Sequence, residues 1–466
     1  MNKMEYIATI DAGGVNPDGT VPEGAPLLLD AIPVSALERM SPAALDRPNP
    51  EVLENLDYLL MQVPSGRLRY AQDNEPGWFR VQVTDEATGT DGEFRVTAPS
   101  IGTTEDRENL SLWVSVLEDS VSEGHTVLLN DLGRLAGYPD ASLEDLQDVL
   151  GYGSWNDEDG LSIAVYDVGQ GNFNAIVDQH EHPLMFFDLG WHTSFHPASK
   201  PLTKAFDPFS ALRYEYAPVV LSHLDLDHWL YAIESGGAIW DASKQYWRTQ
   251  PNYRQVALKR PWIMRRPNPT KHKLGGSHIH FVHSLAGTAL SKGVSALHIW
   301  PSQENFITVG PITIFRCDPP AKLKSKPQPK YLRNNEALGM QVRQGYARVL
   351  LCGDADYPSI PAAFKSGLTG MVAPHHGGAV TSGSMPSSVG HGRLVLSTYE
   401  NSYPNMPHPS VLQDAPKKGW KIARTDDRFS CTRCKVDHGH RLIRLNQTPR
   451  CTCGVVDSAQ LCISKE

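Results

Sequence analysis

The chain has 466 residues, long enough for two or three domains, and its 40% hydrophobic and 20% charged residues are the balance of a soluble globular protein. No apolar run reaches the roughly 18–20 residues that would span a bilayer, and Met1-Asn2-Lys3-Met4-Glu5-Tyr6 lacks the apolar core of a signal peptide, so a cytoplasmic protein with no membrane association is expected. The net charge of −9 hides an asymmetry: residues 1–150 hold 27 acidic against 9 basic side chains, while residues 241–350 hold 18 basic against 4 acidic, a net of +14.

Residues 1–155 read as an acidic, β-rich N-terminal module. Apolar/polar alternation in residues 79–84 and 93–96 predicts short antiparallel strands. Residues 142–150 predict a helix with Ser142 as N-cap and Asp145 at the third position, close to a capping box. Nothing in the module carries recognisable chemistry, so a structural, regulatory or docking role is expected, with the acidic surface as the place for a protein partner.

From residue 161 the pattern changes. Residues 161–166 predict a strand, 167–172 a glycine-bearing turn, 174–177 a return strand, and 184–190 a third strand ending in Asp188-Leu189-Gly190. A fourth strand, 217–221, runs into Ser222-His223-Leu224-Asp225-Leu226-Asp227-His228. Further on, 338–342 and 347–351 predict a hairpin that leads into Gly353-Asp354-Ala355. Two more strands end at His375-His376-Gly377-Gly378 and at Ser397. Buried strands thus end repeatedly in loops rich in His, Asp and Gly, where active sites of α/β proteins gather.

The cluster at 223–228 offers four metal-ligand side chains in six residues. If the segment stays extended, His223, Asp225 and Asp227 converge on one spot, and His228 swings to a second as a helix begins at 229–232. A lone Asp in that place is ordinarily a helix N-cap, the role Asp227 would then have. Two His and two Asp at this spacing favour metal binding instead.

These motifs carry a resemblance to the metallo-β-lactamase superfamily, and within it to the hydrolase domain of ComEC-type DNA-uptake proteins. Asp167-Val168-Gly169-Gln170-Gly171 is similar to the family's opening D-V-G-Q-G, Phe187-Asp188-Leu189-Gly190 to its D-x-G strand end, and His223 to His228 to its H-x-D-x-D-H. Asn334-Asn335, Gly353-Asp354-Ala355 and His375-His376-Gly377-Gly378 follow in the family's order, with Gly378 where the family has Ser. Ser397, Asn401, Tyr403 and His408-Pro409 resemble the next motif, and Arg424-Thr425-Asp426 the last. The penultimate motif lacks its glycines, and Pro404-Asn405-Met406 separates His408 from Tyr403.

The resemblance implies a four-layer αββα hydrolase domain over residues 156–430, in which 241–350 is a basic elaboration. It implies two divalent cations, Zn²⁺ or Mn²⁺. The first would take His223, Asp225 and one of His375 and His376. The second would take Asp227, His228 and the other histidine or a water, with Asp354 bridging the two ions. One ligand and one packing residue is the alternative for the histidine pair. Two such ions about 3.5–4 Å apart can share a hydroxide that attacks phosphorus. Asp227, His228 and Asp354 would thus be catalytic, Asp167 and Asp188 would orient ligands, and Asn335, Asn401 and His408 would bind substrate. Asp225, where many relatives have His, hardens the site and favours Mn²⁺ at least as much as Zn²⁺. His272, His278, His280, His283 and His298 are expected to pack, lie on the surface or contact phosphate rather than bind metal.

Five of the seven cysteines lie in residues 431–466. Cys431, Cys434, Cys451 and Cys453 form C-x2-C and C-x-C pairs, so a structural Zn²⁺ is expected, with His438 and His440 as alternative ligands and free thiols or disulfides as alternative states. The expected function is metal-dependent phosphodiester hydrolysis, with DNA as the substrate the resemblance implies and the basic stretch agreeing with nucleic acid. The alternatives are a hydrolase of small phosphoesters and a non-catalytic, metal-stabilised scaffold.

Overall fold

Period-two alternation builds the N-terminal part. A computed structural model describes all residues except 1–2, 13–26, 41–49, 65–76, 105–107, 118, 136, 152–154, 156–159, 193–206, 211–215, 291–292, 322–328, 400–405, 431–436 and 446–466. Six strands close into a barrel: β1 (Met4–Ala12), β2 (Leu27–Pro33), β3 (Leu59–Val63), β4 (Phe79–Thr84), β5 (Phe94–Ala98) and β6 (Leu110–Val116), in the order β1-β2-β3-β5-β6-β4. Both predicted strands are present as β4 and β5, and β4 alternates buried Phe79, Val81 and Val83 with half-buried Arg80 and Gln82. The predicted helix spans Leu143–Gly151. Ser142 caps it, its Oγ accepting from Asp145 N at 3.0 Å while donating to the Asp145 carboxylate at 2.6 Å.

Two seven-stranded sheets follow. The first contains β7 (Ser162–Val165), β8 (Phe173–Val177), β9 (Pro183–Leu189), β10 (Val219–Leu221), β13 (Trp262–Met264) and β14 (Leu297–Ile299), in the order β14-β13-β10-β9-β8-β7. A long hairpin, β11 (Ile233–Asp241) with β12 (Tyr246–Tyr253), leaves this sheet after β10. The second sheet runs in chain order from β15 (Phe306–Val309) through β16 (Ile312–Arg316), β17 (Leu338–Gln344), β18 (Ala347–Leu351), β19 (Leu368–Val372) and β20 (Ser388–Leu396) to β21 (Trp420–Arg424). After the two-residue strands β22 (Phe429–Ser430) and β23 (Asp437–His438), β24 (Arg441–Arg444) returns to pair antiparallel with β7.

The sheets share one apolar interior. Ile163, Met185, Phe187 and Val220 of the first meet Ile314, Met340, Val349 and Leu351 of the second. Alternate residues face outward, so Leu350, Met371 and Leu394 pack on Val411 and Ala415 of the Pro409–Lys417 helix. On the outer side of the first sheet, Phe173, Phe186, Val219 and Leu221 join Phe281 and Leu285 of the Gly276–Gly287 helix and the barrel residues Tyr6, Leu29 and Met61 in a single cluster. The strands are buried on both faces, which is why they read as continuous apolar runs rather than as alternation. Among the described residues no helix is long and apolar enough to cross a membrane.

The charge asymmetry closes on itself in this packing. Lys244 lies 2.5 Å from Asp57, Arg266 2.8 Å from Asp140, and Lys330 and Arg333 3.1 and 3.0 Å from Asp11, so bases of the 241–350 stretch meet acids of the N-terminal 155 residues. Arg265 pairs with Asp318, and Arg260 is fully buried over the Phe209 ring. Part of the +14 is therefore answered inside the chain. Of the histidines at 272–298, His272 contacts Glu336 at 3.0 Å, His280 Tyr253 at 2.9 Å and His283 Tyr138 at 3.1 Å; His278 and His298 are buried, and His278 lies beside Asp11 and Asp225.

One contact anchors the barrel to the sheet layer. Asp30 on β2 accepts from the Ser277 backbone N–H with both oxygens at 3.1 Å and from the Ser277 hydroxyl, capping the Gly276–Gly287 helix from outside. A side chain on Gly275 would lie 2.0 Å from the Asp30 carboxylate, so only glycine admits this approach. Asp30→Ala is expected to cost about 1–3 kcal/mol of stability, measurable as a lower urea midpoint with unchanged slope.

Candidate metal centre

The site forms where strands of both sheets end side by side. Asp188, the last residue but one of β9, is in a left-handed conformation (φ +62°), and Ser222 follows directly on β10. The sequence pattern predicted an extended segment through Asp227. The chain instead enters a short helix at Leu226–Trp229 with Asp225 as N-cap residue. Leu226 and Trp229 are drawn into the core there, so Asp227 and His228 are presented from helix rather than from strand. From the second sheet, β18 leads into Gly353-Asp354, and β19 into His375 and His376, both left-handed at φ +51° and +57°.

Two glycines permit the approach of these ends. A Cβ at Gly190 would lie 2.0 Å from Asp227 O and 2.4 Å from Asn172 O, and one at Gly353 (φ +55°) would lie 2.4 Å from Ser222 Oγ. The D-x-G and G-D-A motifs are thus packing requirements of the H-x-D-x-D-H loop. Gly378 has a similar reason, since a side chain there would press on Met406 Cε at 2.9 Å and His375 O at 2.8 Å.

Asp354 stands between four histidines. Its Oδ1 is 3.1 Å from His228 Nε2 and 3.7 Å from His376 Nε2, and its Oδ2 is 4.0 Å from His223 Nε2 and 3.9 Å from His375 Nε2. Asp227 is 3.0 Å from His376 Nε2 and 3.9 Å from His228 Nε2. Two groups with ligand geometry result, His223–His228–Asp354 and Asp227–His228–His376, and a third joins Asp11, Asp225 and His278. Donor atoms around an ion with bonds of about 2.1 Å sit roughly 3–3.5 Å apart, close to several of these spacings.

The outer ring nitrogens are already committed. His228 Nδ1 donates to Asp188 Oδ2 at 2.8 Å and His376 Nδ1 to the Ser397 carbonyl at 3.1 Å, while His223 Nδ1 lies 3.0 Å from Ser222 Oγ, itself bonded to Asp188 at 2.9 Å. These contacts turn the Nε2 atoms of His223, His228 and His376 inward, where all three are buried and make no hydrogen bond of good geometry. Buried imidazole nitrogens aimed at one another and at carboxylates fit a bound cation. Burial opposes ionisation of Asp354, but the facing His228, His376 and His375 outweigh it and hold its carboxyl well below the usual range. For His228 burial is likewise outweighed, by Asp354 and Asp188, which raise it. Protons and metal ions compete for the same nitrogen, so metal binding here releases protons.

Asp188 receives Ser222 N (2.7 Å), Ser222 Oγ and His228 Nδ1. Asn accepts the left-handed backbone, so Asp188→Asn tests the carboxylate alone. A loss of about 10–100-fold in metal affinity is expected by calorimetric titration.

Other predicted residues are engaged elsewhere. Asp167 does not touch a ligand; Arg428 Nε (2.7 Å) and Gly439 N (3.0 Å) donate to it, so it ties the returning C-terminal segment to β7. Asn335 turns away from the centre, accepting from Asp356 N at 3.0 Å and Ser359 Oγ at 2.6 Å to brace the loop after Asp354. His408 is the N-cap of the Pro409–Lys417 helix, with Nδ1 2.7 Å from Ser410 Oγ. His440 Nδ1 accepts from Asp167 N at 2.8 Å. Asn401, Cys431, Cys434, Cys451 and Cys453 lie outside the described residues. Cys317 and Cys352 are free and buried.

Asp225 has company that the sequence pattern did not foresee. Its Oδ1 accepts from Arg333 Nε, and its Oδ2 is 3.0 Å from Lys330 Nζ and 3.3 Å from His223 Nε2. Both bases sit on the Pro329–Asn335 helix that carries the N-N motif, and that adjacency was the only sequence signal available. Asp11 lies more than 300 residues earlier than either base and gave none.

No family model matches this sequence, and no curated protein matches it. Among solved structures it is similar to CmlA, a diiron β-hydroxylase from Streptomyces venezuelae, and to a point mutant of CmlA. Each is 13% identical, over 78% of this chain and 75% of that chain, with TM-scores of 0.29 and 0.28. Likeness at that level decides neither fold nor chemistry; both are read from the residues themselves.

Proposed function

We propose that the chain is a metal-dependent phosphodiester hydrolase of the metallo-β-lactamase type, with a four-layer αββα hydrolase domain and a dinuclear centre on His223, Asp225, Asp227, His228, Asp354, His375 and His376. The observation that carries it is Asp354 placed with one oxygen toward His228 and His376 and the other toward His223 and His375, as a bridging carboxylate requires. When bound, the two ions would supply Lewis acidity and an activated water. The residues do the rest. Asp188 and Ser397 fix the tautomers of His228 and His376, and the burial of the centre strengthens each electrostatic contact with a developing charge. Zn²⁺ and Mn²⁺ both suit this donor set, and the Asp-rich portion favours the harder ion. A structural Zn²⁺ on Cys431, Cys434, Cys451 and Cys453, and a protein partner at the acidic surface, stay as proposals from the sequence.

DNA is the substrate that the motif resemblance implies. A small phosphoester is the second reading, and one observation favours it: Lys244, Arg266, Lys330 and Arg333, four of the eighteen bases of the 241–350 stretch, pair with Asp57, Asp140 and Asp11 rather than standing free for a polyanion. Purified protein loaded with Mn²⁺ or Zn²⁺ and offered plasmid, single-stranded DNA, RNA and bis-p-nitrophenyl phosphate separates the two. Cleavage of the small ester alone sinks the nuclease reading, and no cleavage of any of them sinks the hydrolase.

A further inference from the structure

The buried group beside Asp225 has a feature that a metal centre does not need for itself. Lys330 and Arg333 put two fixed positive charges against a carboxylate proposed to hold a cation. Acting alone they would neutralise Asp225 and repel an ion next to His223. They do not act alone. Asp11, at the end of β1 in the barrel, shares both: its Oδ1 is 3.1 Å from Lys330 Nζ and 3.0 Å from Arg333 Nη2, and its Oδ2 is 3.5 Å from His278 Nε2. The side chains of Asp11, Lys330 and Arg333 are 11%, 14% and 6% exposed, so solvent screens little of this. Burial resists ionisation of Asp11, yet Lys330 and Arg333 hold it charged. Two cations and two carboxylates balance. Without Asp11 the group carries an excess positive charge against Asp225 and His223.

We propose that Asp11 is a positioning residue of the metal centre, a carboxylate lent by the N-terminal barrel that offsets Lys330 and Arg333 so that Asp225 and His223 can take a divalent cation. The barrel thereby becomes part of the centre. The inference rests on the metal-dependent reading above and adds to it a role for the acidic N-terminal residues. At effective dielectric constants near 20, a unit charge close to a divalent ion changes its affinity by on the order of tenfold or more.

The test is Mn²⁺ binding to the metal-free full-length protein, read by calorimetry and by the loss of the free-Mn²⁺ electron paramagnetic resonance signal. Asp11→Asn is expected to weaken the weaker-bound equivalent about tenfold or more. Lys330→Met is expected to tighten it, and the double variant to return within about threefold of wild type, because the excess charge is gone. A merely structural Asp11 would not be rescued by removing a cation. Unchanged affinity in Asp11→Asn, or a double variant as weak as Asp11→Asn, overturns the inference while leaving the metal centre standing. Should Asp11→Asn fail to fold, Lys330→Met decides alone, and unchanged or weaker binding overturns it. A wild-type protein that takes up no Mn²⁺ or Zn²⁺ removes the metal reading itself, and the inference with it.

Discussion

Asp354→Asn is expected to lower hydrolysis of bis-p-nitrophenyl phosphate by at least about a thousandfold while leaving the fold in place. The carboxylate is buried between His223, His228, His375 and His376, and it lies within 4.0 Å of all four Nε2 atoms. Asn keeps the shape but replaces one acceptor oxygen with a donor that faces imidazole nitrogens and cannot bridge two cations. Metal content should fall with activity, and circular dichroism should not change. Activity within about tenfold of wild type, with metal retained, would refute a bridging role.

The second large effect belongs to a residue without a side chain. Gly190→Ala would put a methyl group 2.0 Å from Asp227 O and 2.4 Å from Asn172 O, both backbone atoms that no rotamer change can move. The Asp227 carbonyl also accepts from Asn172 N at 2.9 Å, and Gly190 N donates to Asn172 O at 2.7 Å, so the clash falls on a hydrogen-bonded crossing of two loops. A stability loss of about 3 kcal/mol or more is expected, together with loss of the metal site, since Asp227 and His228 ride on that backbone. Gly124→Ala is the control: nothing lies within 4 Å of a Cβ there, and its helix tolerates alanine. Equal denaturation midpoints for the two variants would mean that the crossing is not tight in solution.

Legibility followed range. His223, Asp225, Asp227 and His228 were readable together because local spacing puts them on one loop, while Asp188, Asp354, His375 and His376 were singled out only by the motif resemblance, at or just beyond the ends of buried strands. Composition showed an acidic start and a basic middle but not that Asp11, Asp57 and Asp140 of the one pair with Lys244, Arg266, Lys330 and Arg333 of the other. Charge counts carry no distances. For the same reason Asn335 and His408 were assigned to substrate: a side chain's identity does not tell which of two nearby loops it will hydrogen-bond, and Asp356 N, Ser359 and Ser410 take them.

The residue types, the order of the motifs and the glycines that let strand ends approach were properties of the sequence itself, since periodicity and steric freedom are local. The closure of the barrel, the meeting of both sheets over one interior and the delivery of Asp11 to Lys330 and Arg333 were decided by tertiary packing alone. Burying apolar faces brings distant segments together, and only then can a carboxylate on β1 balance cations on a helix more than 300 residues away.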